Sequence, residues 1–220
     1  MSHSALETIK PGGMSWGSDC EGEAEIVAWE PGRKFAWKEN IALVEWTLGA
    51  RGGKTVVGLM QSGFLGDEDW ENEWVESADY GWGFVLVSLQ WALEHHRGEN
   101  RQVAWPRRKV NLTRANAYAK LLEAGGIFSS DVSSKLQPHH EYSLKSSTGE
   151  NYSGRVQFLR AVRGLCVSVR ELNDALFLVT VEGASGKIEV QNWLSSFNLP
   201  QDRIKKFEKD WSAHFQKQFS

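Results

Sequence analysis

The run DYGWGFVLVSLQWALEHH, from Asp79 to His96, limits the folds open to this chain more than any other stretch. Trp82, Val85, Leu86, Leu89 and Leu93 recur at helical spacing and define one apolar face. Asp79 is placed to cap the helix. His95, His96 and Arg97 fall in its last turn, where the helix dipole favours positive charge, and Gly98 stops it. What precedes it reads as strands, so the helix is expected to cover the sheet they form. A second amphipathic helix closes the chain after another run of strands. There Ile204, Phe207, Trp211, Phe215 and Phe219 share a face behind Pro200.

The strands are read from alternation and from turn residues. Cys20 to Trp29 alternates small and apolar positions, and Pro31-Gly32 turns the chain. Arg33 to Glu39 sets Phe35 and Trp37 between polar neighbours, and Ile41 to Leu48 is apolar on both faces apart from Glu45. Arg51-Gly52-Gly53-Lys54 makes a hairpin into Thr55 to Phe64, which completes a four-stranded antiparallel meander. Residues 1 to 13 read as an irregular start. After a linker at Gly98 to Arg108, Val110 and Leu112 continue as strand, and Thr113 caps a helix from Arg114 to Ala124 that Gly125-Gly126 ends. Strands are expected at His140 to Lys145, Gly154 to Ala161, Leu165 to Glu171 and Ala175 to Glu182. Lys187 to Trp193 reads either as a short strand or as the approach to the last helix. The two halves therefore share an order of strands, loop and long helix, without close duplication of sequence.

With 220 residues and a net charge of −3, neither nucleic acid nor an anionic membrane is called for as a partner. The start MSHSALETIKPGG carries no apolar core of a signal peptide, and no segment reaches the roughly 20 apolar residues that span a bilayer. A soluble, cytoplasmic protein is the expectation. Cys20 and Cys166 are expected as buried reduced thiols. Most of the 11 tryptophans must serve as core.

Each constellation that could carry chemistry has a plainer reading beside it. The acidic run Asp67 to Asp79, around Trp70 and Trp74, is dense enough for calcium but does not follow the EF-hand order, so a solvated loop is expected. His95-His96 and His139-His140 are adjacent pairs whose rings diverge, a poor arrangement for one metal. Glu45 is read either as a pocket carboxylate or as an outward one. Arg160, Arg163 and Arg170 either face an anion or decorate an exposed sheet face. Neither a nucleophile elbow, a P-loop, a dinucleotide fingerprint nor a zinc signature occurs, so no catalytic residue, metal or cofactor is assigned.

Four pieces carry a resemblance: KPGG at Lys10 to Gly13, GEAEIVAWEPGRKFAWKE with its Glu30-Pro31 turn, GGKTVVGLMQSGF, and GWGFVLVSLQWALE at Gly81 to Glu94. In that order and spacing they resemble the START-like, helix-grip superfamily, in the branch of the activator of heat-shock protein 90 ATPase. More faintly, VNLTRANAYAKLLEAGGIF and GRVQFLRAVRGLCVSVRELNDALFLVTVE resemble an opening and later strands of the same superfamily. The resemblance implies an α+β protein of two tandem modules, 1–98 and 99–220. In each, an antiparallel sheet wraps a long C-terminal helix around a cavity. The first module lacks the usual opening strand and paired helices. Trp37, Trp46, Met60, Trp82 and Leu86 are the residues expected to line the first cavity, with a filled core as the alternative. Three functions follow: a non-enzymatic module that binds an apolar small molecule or serves a chaperone-linked stress response, an enzyme of the polyketide cyclase or dehydratase kind, or an interaction protein with filled cavities. The open edge of the first sheet is expected to be covered by the strand near Val103 to Leu112 or by a second copy in a homodimer.

Overall fold

The computed structural model describes residues 12–17, 20–39, 41–63, 69–183 and 187–220, with side chains from Ala24 onward apart from 40, 64–74 and 184–186. The chain divides into two compact units, Met1–Glu71 and Asn72–Ser220. The division falls within the first turn of the helix that begins at Asp69.

The first unit is an antiparallel sheet of five strands in sequence order: β1 (Gly12–Gly17), β2 (Cys20–Glu30), β3 (Lys34–Glu39), β4 (Ala42–Arg51) and β5 (Lys54–Ser62). The meander thus has one strand more than expected, because Gly12–Gly17 pairs along β2. Residues opposite each other in a ladder point to the same face. Phe35 opposite Trp46 and Trp37 opposite Val44 therefore share one face, with Leu59 opposite Trp46. The other face carries Ala36, Glu45 and Met60, and there Lys34 Nζ lies 2.6 Å from a Glu45 carboxylate oxygen. Glu45 is an ion-paired residue on the polar side of the sheet.

The second unit holds helix α1 (Asp69–His95) from Asn72 onward, strands β6 (Arg101–Ala104) and β7 (Arg107–Val110), helix α2 (Arg114–Leu122), strands β8 (Glu141–Lys145), β9 (Asn151–Arg160), β10 (Gly164–Val169), β11 (Ala175–Glu182) and β12 (Ile188–Phe197), and helix α3 (Gln201–Gln218). Its antiparallel sheet has the order β6-β12-β11-β10-β9-β8, with β7 also on β12. The uncertain stretch after Lys187 is a full strand. Val103 to Leu112 does not pair with the first sheet. It supplies the two short strands beside β12. Thr113 caps α2 as expected, its hydroxyl oxygen accepting the Asn116 amide at 3.2 Å.

Both faces of this second sheet are covered, which explains why β10 and nearly all of β11 are buried without alternation. On one face Leu165, Val167, Phe177, Val179 and Val190 join Ile204, Phe207, Trp211 and Phe215 of α3 in the main core. This is the helix-grip arrangement: an antiparallel sheet closed over a long C-terminal helix. On the other face Cys166, Leu176 and Leu178 pack against Tyr80 and Phe84 of α1. A one-residue slip at Gln157 of β9 lets Val156 face α3 while Phe158 faces α1.

Helix α1 departs from expectation in three ways. It begins at Asp69, so much of the expected acidic loop is helical and Asp79 lies inside the helix; residues 64–68 and the side chains of Trp70 and Trp74 lie outside the described residues. It packs on the second sheet. And the buried stripe is Tyr80, Phe84, Val87 and Trp91, while Leu89 and Leu93 are 36% and 55% exposed. The run is apolar nearly all round, so periodicity alone selected the wrong stripe.

Candidate functional site

Of the five residues expected around one cavity, three stand on strands of the first sheet and two on α1. Trp37 and Trp46 share the apolar face of the first sheet, where the Trp37 ring also lies 5.2 Å from that of Phe35, tilted by 39°. Met60 sits on the opposite face and is 53% exposed. Trp82 and Leu86 are half-buried positions of α1, in the second unit.

The space between sheet and helix in the second unit is where an apolar ligand would lie in a helix-grip protein, and a cluster of aromatic rings occupies it. Trp211 is fully buried, with ring centres 5.1 Å from Phe177, 6.0 Å from Phe207 and 5.9 Å from Phe215. Tyr152 lies 6.0 Å from Phe177 in the same cluster. Sequence periodicity placed the α3 residues correctly; it could not say whether their rings would line a void or close it.

Beside α3 a cavity remains, lined by Tyr152, Trp211, Phe207, Glu150 and Lys206, among others, and enclosing about 10 Å³. That is room for about one water molecule. Lys206 Nζ donates to Glu150 at 3.0 Å and to Asp210 at 2.6 Å, and Arg203 lies 3.6 Å from Glu150, so the charges at its rim neutralise one another. Burial pushes the Tyr152 hydroxyl up to about 12, with Trp211 and Thr148 pulling the other way. A tyrosine held so firmly neutral is a poor base at ordinary pH. Further inside, Asn192 is fully buried, with neither amide atom of its side chain paired.

The second polar cluster lies on the α1 face. Arg163 is buried and donates to Glu76 at 2.5 Å and to the Ser77 hydroxyl at 3.3 Å. A Glu182 oxygen lies 3.6 Å from it. Burial raises the Glu182 carboxyl above its ordinary range, against the opposing pull of Thr180 and Arg163. Arg160 donates to Asp79 at 2.6 Å, and Arg170 is bonded to Glu141. The three arginines are thus engaged by carboxylates of the chain and do not gather around an anion. At the other end of α1, His96 stacks on Phe197 at 4.4 Å and its Nδ1 lies 2.9 Å from Glu99. Among the described residues no group of His, Cys, Asp and Glu could hold a metal ion. Cys166 is buried and reduced, its thiol pushed up by burial; the Cys20 side chain lies outside the described residues. No helix among the described residues is long and apolar enough to cross a membrane.

No family model and no curated protein matches the chain. Solved structures do. The protein SSP2350 from Staphylococcus saprophyticus is 10% identical over 54% of this chain and 89% of its own, with a TM-score of 0.44. The Aha1 dimer from Colwellia psychrerythraea is 10% identical over 54% and 93%, with a TM-score of 0.41. The di-domain ARO/CYC StfQ from the steffimycin biosynthetic pathway is 12% identical over 90% of this chain and 76% of its own, at 0.40. The helix-grip form of the second unit stands on its own strand order and on the packing of α3.

Proposed function

We propose that this chain is a non-enzymatic START-like protein that works by binding other proteins, as a chaperone-linked module would, and that its second grip is a scaffold with no carrier role. One observation carries the reading: the place for an apolar ligand in the second unit is filled by Trp211, Phe207 and Phe215. A ligand there would have to displace buried rings, each contributing about 1.5–3 kcal/mol or more of burial. The charged groups beside α3 pair with each other, which argues against the cyclase reading at that cavity. Native mass spectrometry of protein purified from its source tests this. The chain should fly without a bound small molecule. A co-purifying apolar ligand in stoichiometric amount would overturn the reading.

A ligand-binding reading keeps one specific support, the half-buried face of the first sheet that carries Phe35, Trp37 and Trp46. Quenching of tryptophan fluorescence by a hydrophobic probe, weakened by Trp46→Ala, would favour it.

A further inference from the structure

The two sheets end differently. In the second, the last strand before the closing helix is β12, and it has neighbours on both sides: β11 on one, β6 and β7 on the other. In the first, the last strand is β5. It pairs with β4 on one side and ends the strand order on the other. Its outer row of backbone donors and acceptors is therefore unmatched among the described strands.

Among the described residues, one of these borders is guarded and the other carries no strand. β6 and β7 are four residues each, are interrupted at Trp105-Pro106, and carry Arg101, Arg107, Arg108 and Lys109. Short length, proline and cations are the usual means of discouraging strand addition. β5 reads KTVVGLMQS, nine residues without proline, and its one charge stands at the first position. An edge of that length and composition is a template for another strand.

We propose that the outer edge of β5 is a homodimer interface, on which β5 of a second copy pairs antiparallel with Gly58 opposite Gly58. This rests on the reading of the chain as a protein-binding module and names its partner. The sequence around Gly58 is self-complementary in that register. Val56 meets Met60 of the second copy, and Val57 meets Leu59. Val56 and Met60, on one face, are 48% and 53% exposed in the single chain. Cross-strand pairs of this kind stabilise a ladder, and like charges directly opposite each other oppose it. Lys54 falls opposite Ser62, so no like charges meet. Gly58 is small for a reason internal to the sheet, since a Cβ there would stand 2.5 Å from the Thr47 hydroxyl oxygen. A C2 contact of this form is isologous and closes on itself.

Analytical ultracentrifugation of the full chain at micromolar concentration tests the pairing. The wild type should sediment as a dimer. The double variant Val56→Lys/Met60→Lys should sediment as a monomer with an unchanged far-ultraviolet spectrum, and so should Val56→Glu/Met60→Glu. An equimolar mixture of the two should recover the dimer, which loss of folding could not produce. Val56→Cys/Met60→Cys should form a covalent dimer on mild oxidation, because positions four apart along one strand are about 13 Å apart and cannot bridge. A monomeric wild type, or a dimer that survives the lysine pair, overturns the proposal. A monomer without bound ligand overturns this interface alone, whereas a bound apolar ligand overturns the protein-binding reading beneath it.

Discussion

The indole nitrogen of Trp91 donates a 2.6 Å hydrogen bond to the backbone oxygen of Asp174. It ties the C-terminal half of α1 to the turn before β11, on the outer side of the second sheet. At the N-terminal half the ion pairs of Arg160 and Arg163 do the same. Between them Tyr80 fits against Gly164, where even a Cβ would come within 2.2 Å of the tyrosine oxygen.

The packing of α1 predicts a contrast between two truncations. Phe84→Ala empties a buried site and should cost about 3–5 kcal/mol. For a chain of this size that lowers the melting midpoint by roughly 6–20 °C. Leu89→Ala, on the exposed stripe, should stay within about 0.5 kcal/mol of wild type. Calorimetry of both variants decides which stripe is packed. Equal losses would contradict the assignment.

Trp211→Ala should create a cavity in the grip at a cost of about 3–5 kcal/mol. An apolar void of that size stays dry and accepts small aromatic molecules. Titration with benzene or a similar probe should therefore show saturable binding to the variant and none at this site in the wild type. Stabilisation of the variant by the probe would be the thermal readout.

The Glu182 carboxyl is raised by burial, so the folded chain takes up its proton more readily than the unfolded chain does. Its contribution to stability is full below the ordinary glutamate value of 4.5 and is lost as pH rises through the raised folded value. Glu182→Gln removes that dependence. The variant should be at least as stable as wild type at neutral pH and should show a flatter stability profile just above the ordinary carboxyl range. Chemical denaturation at several pH values measures both.

Asn192→Leu should raise stability. The side chain is fully buried with both amide atoms unpaired, and leaving buried polar groups unmatched costs about 1–3 kcal/mol. The backbone bond from Asn192 N to Pro106 O, at 2.9 Å, does not depend on the side chain. A midpoint in denaturant at or below that of wild type would show that the amide has a partner.

Much of this architecture can be read in the sequence, and the misreadings have physical causes. Thr113 before Arg114 and the Ile204-to-Phe219 stripe fixed α2 and α3, because caps and a clean apolar face are local signals. The first sheet followed from alternation and from Gly52-Gly53. The placement of α1 did not follow. Tyr80, Phe84 and Trp91 are as apolar as Leu86, Leu89 and Leu93, so neither stripe announces its partner. The missed signal lay elsewhere, in Gly164–Val169 and Ala175–Glu182, which are apolar on both faces apart from Ser168, Thr180 and the terminal Glu182. Strands that do not alternate are buried on both faces, and one face then needs a second cover. Residue type alone, without strand register, does not say which side of a sheet a candidate cavity residue faces. Opposing Met60 to Glu45 and Trp46 to Leu59 puts Met60 on the other side of the sheet from Trp46.

The hold of Asp174 on Trp91 also has a history in time. The two residues are 83 positions apart. At about 5–20 residues per second on the ribosome, Trp91 is added to the chain roughly 4–17 s before its acceptor exists. Throughout that interval α1 has been made and both of its apolar stripes face water or whatever lies near. The second sheet cannot receive the helix until β11 has been synthesised, so the two-sided coat of that sheet is among the last things a nascent chain can finish. Each new molecule therefore passes through a stage in which a long, sticky helix hangs from a nearly finished first sheet. Slowing translation between Gly98 and Ala175 prolongs that exposure, and speeding it there shortens it.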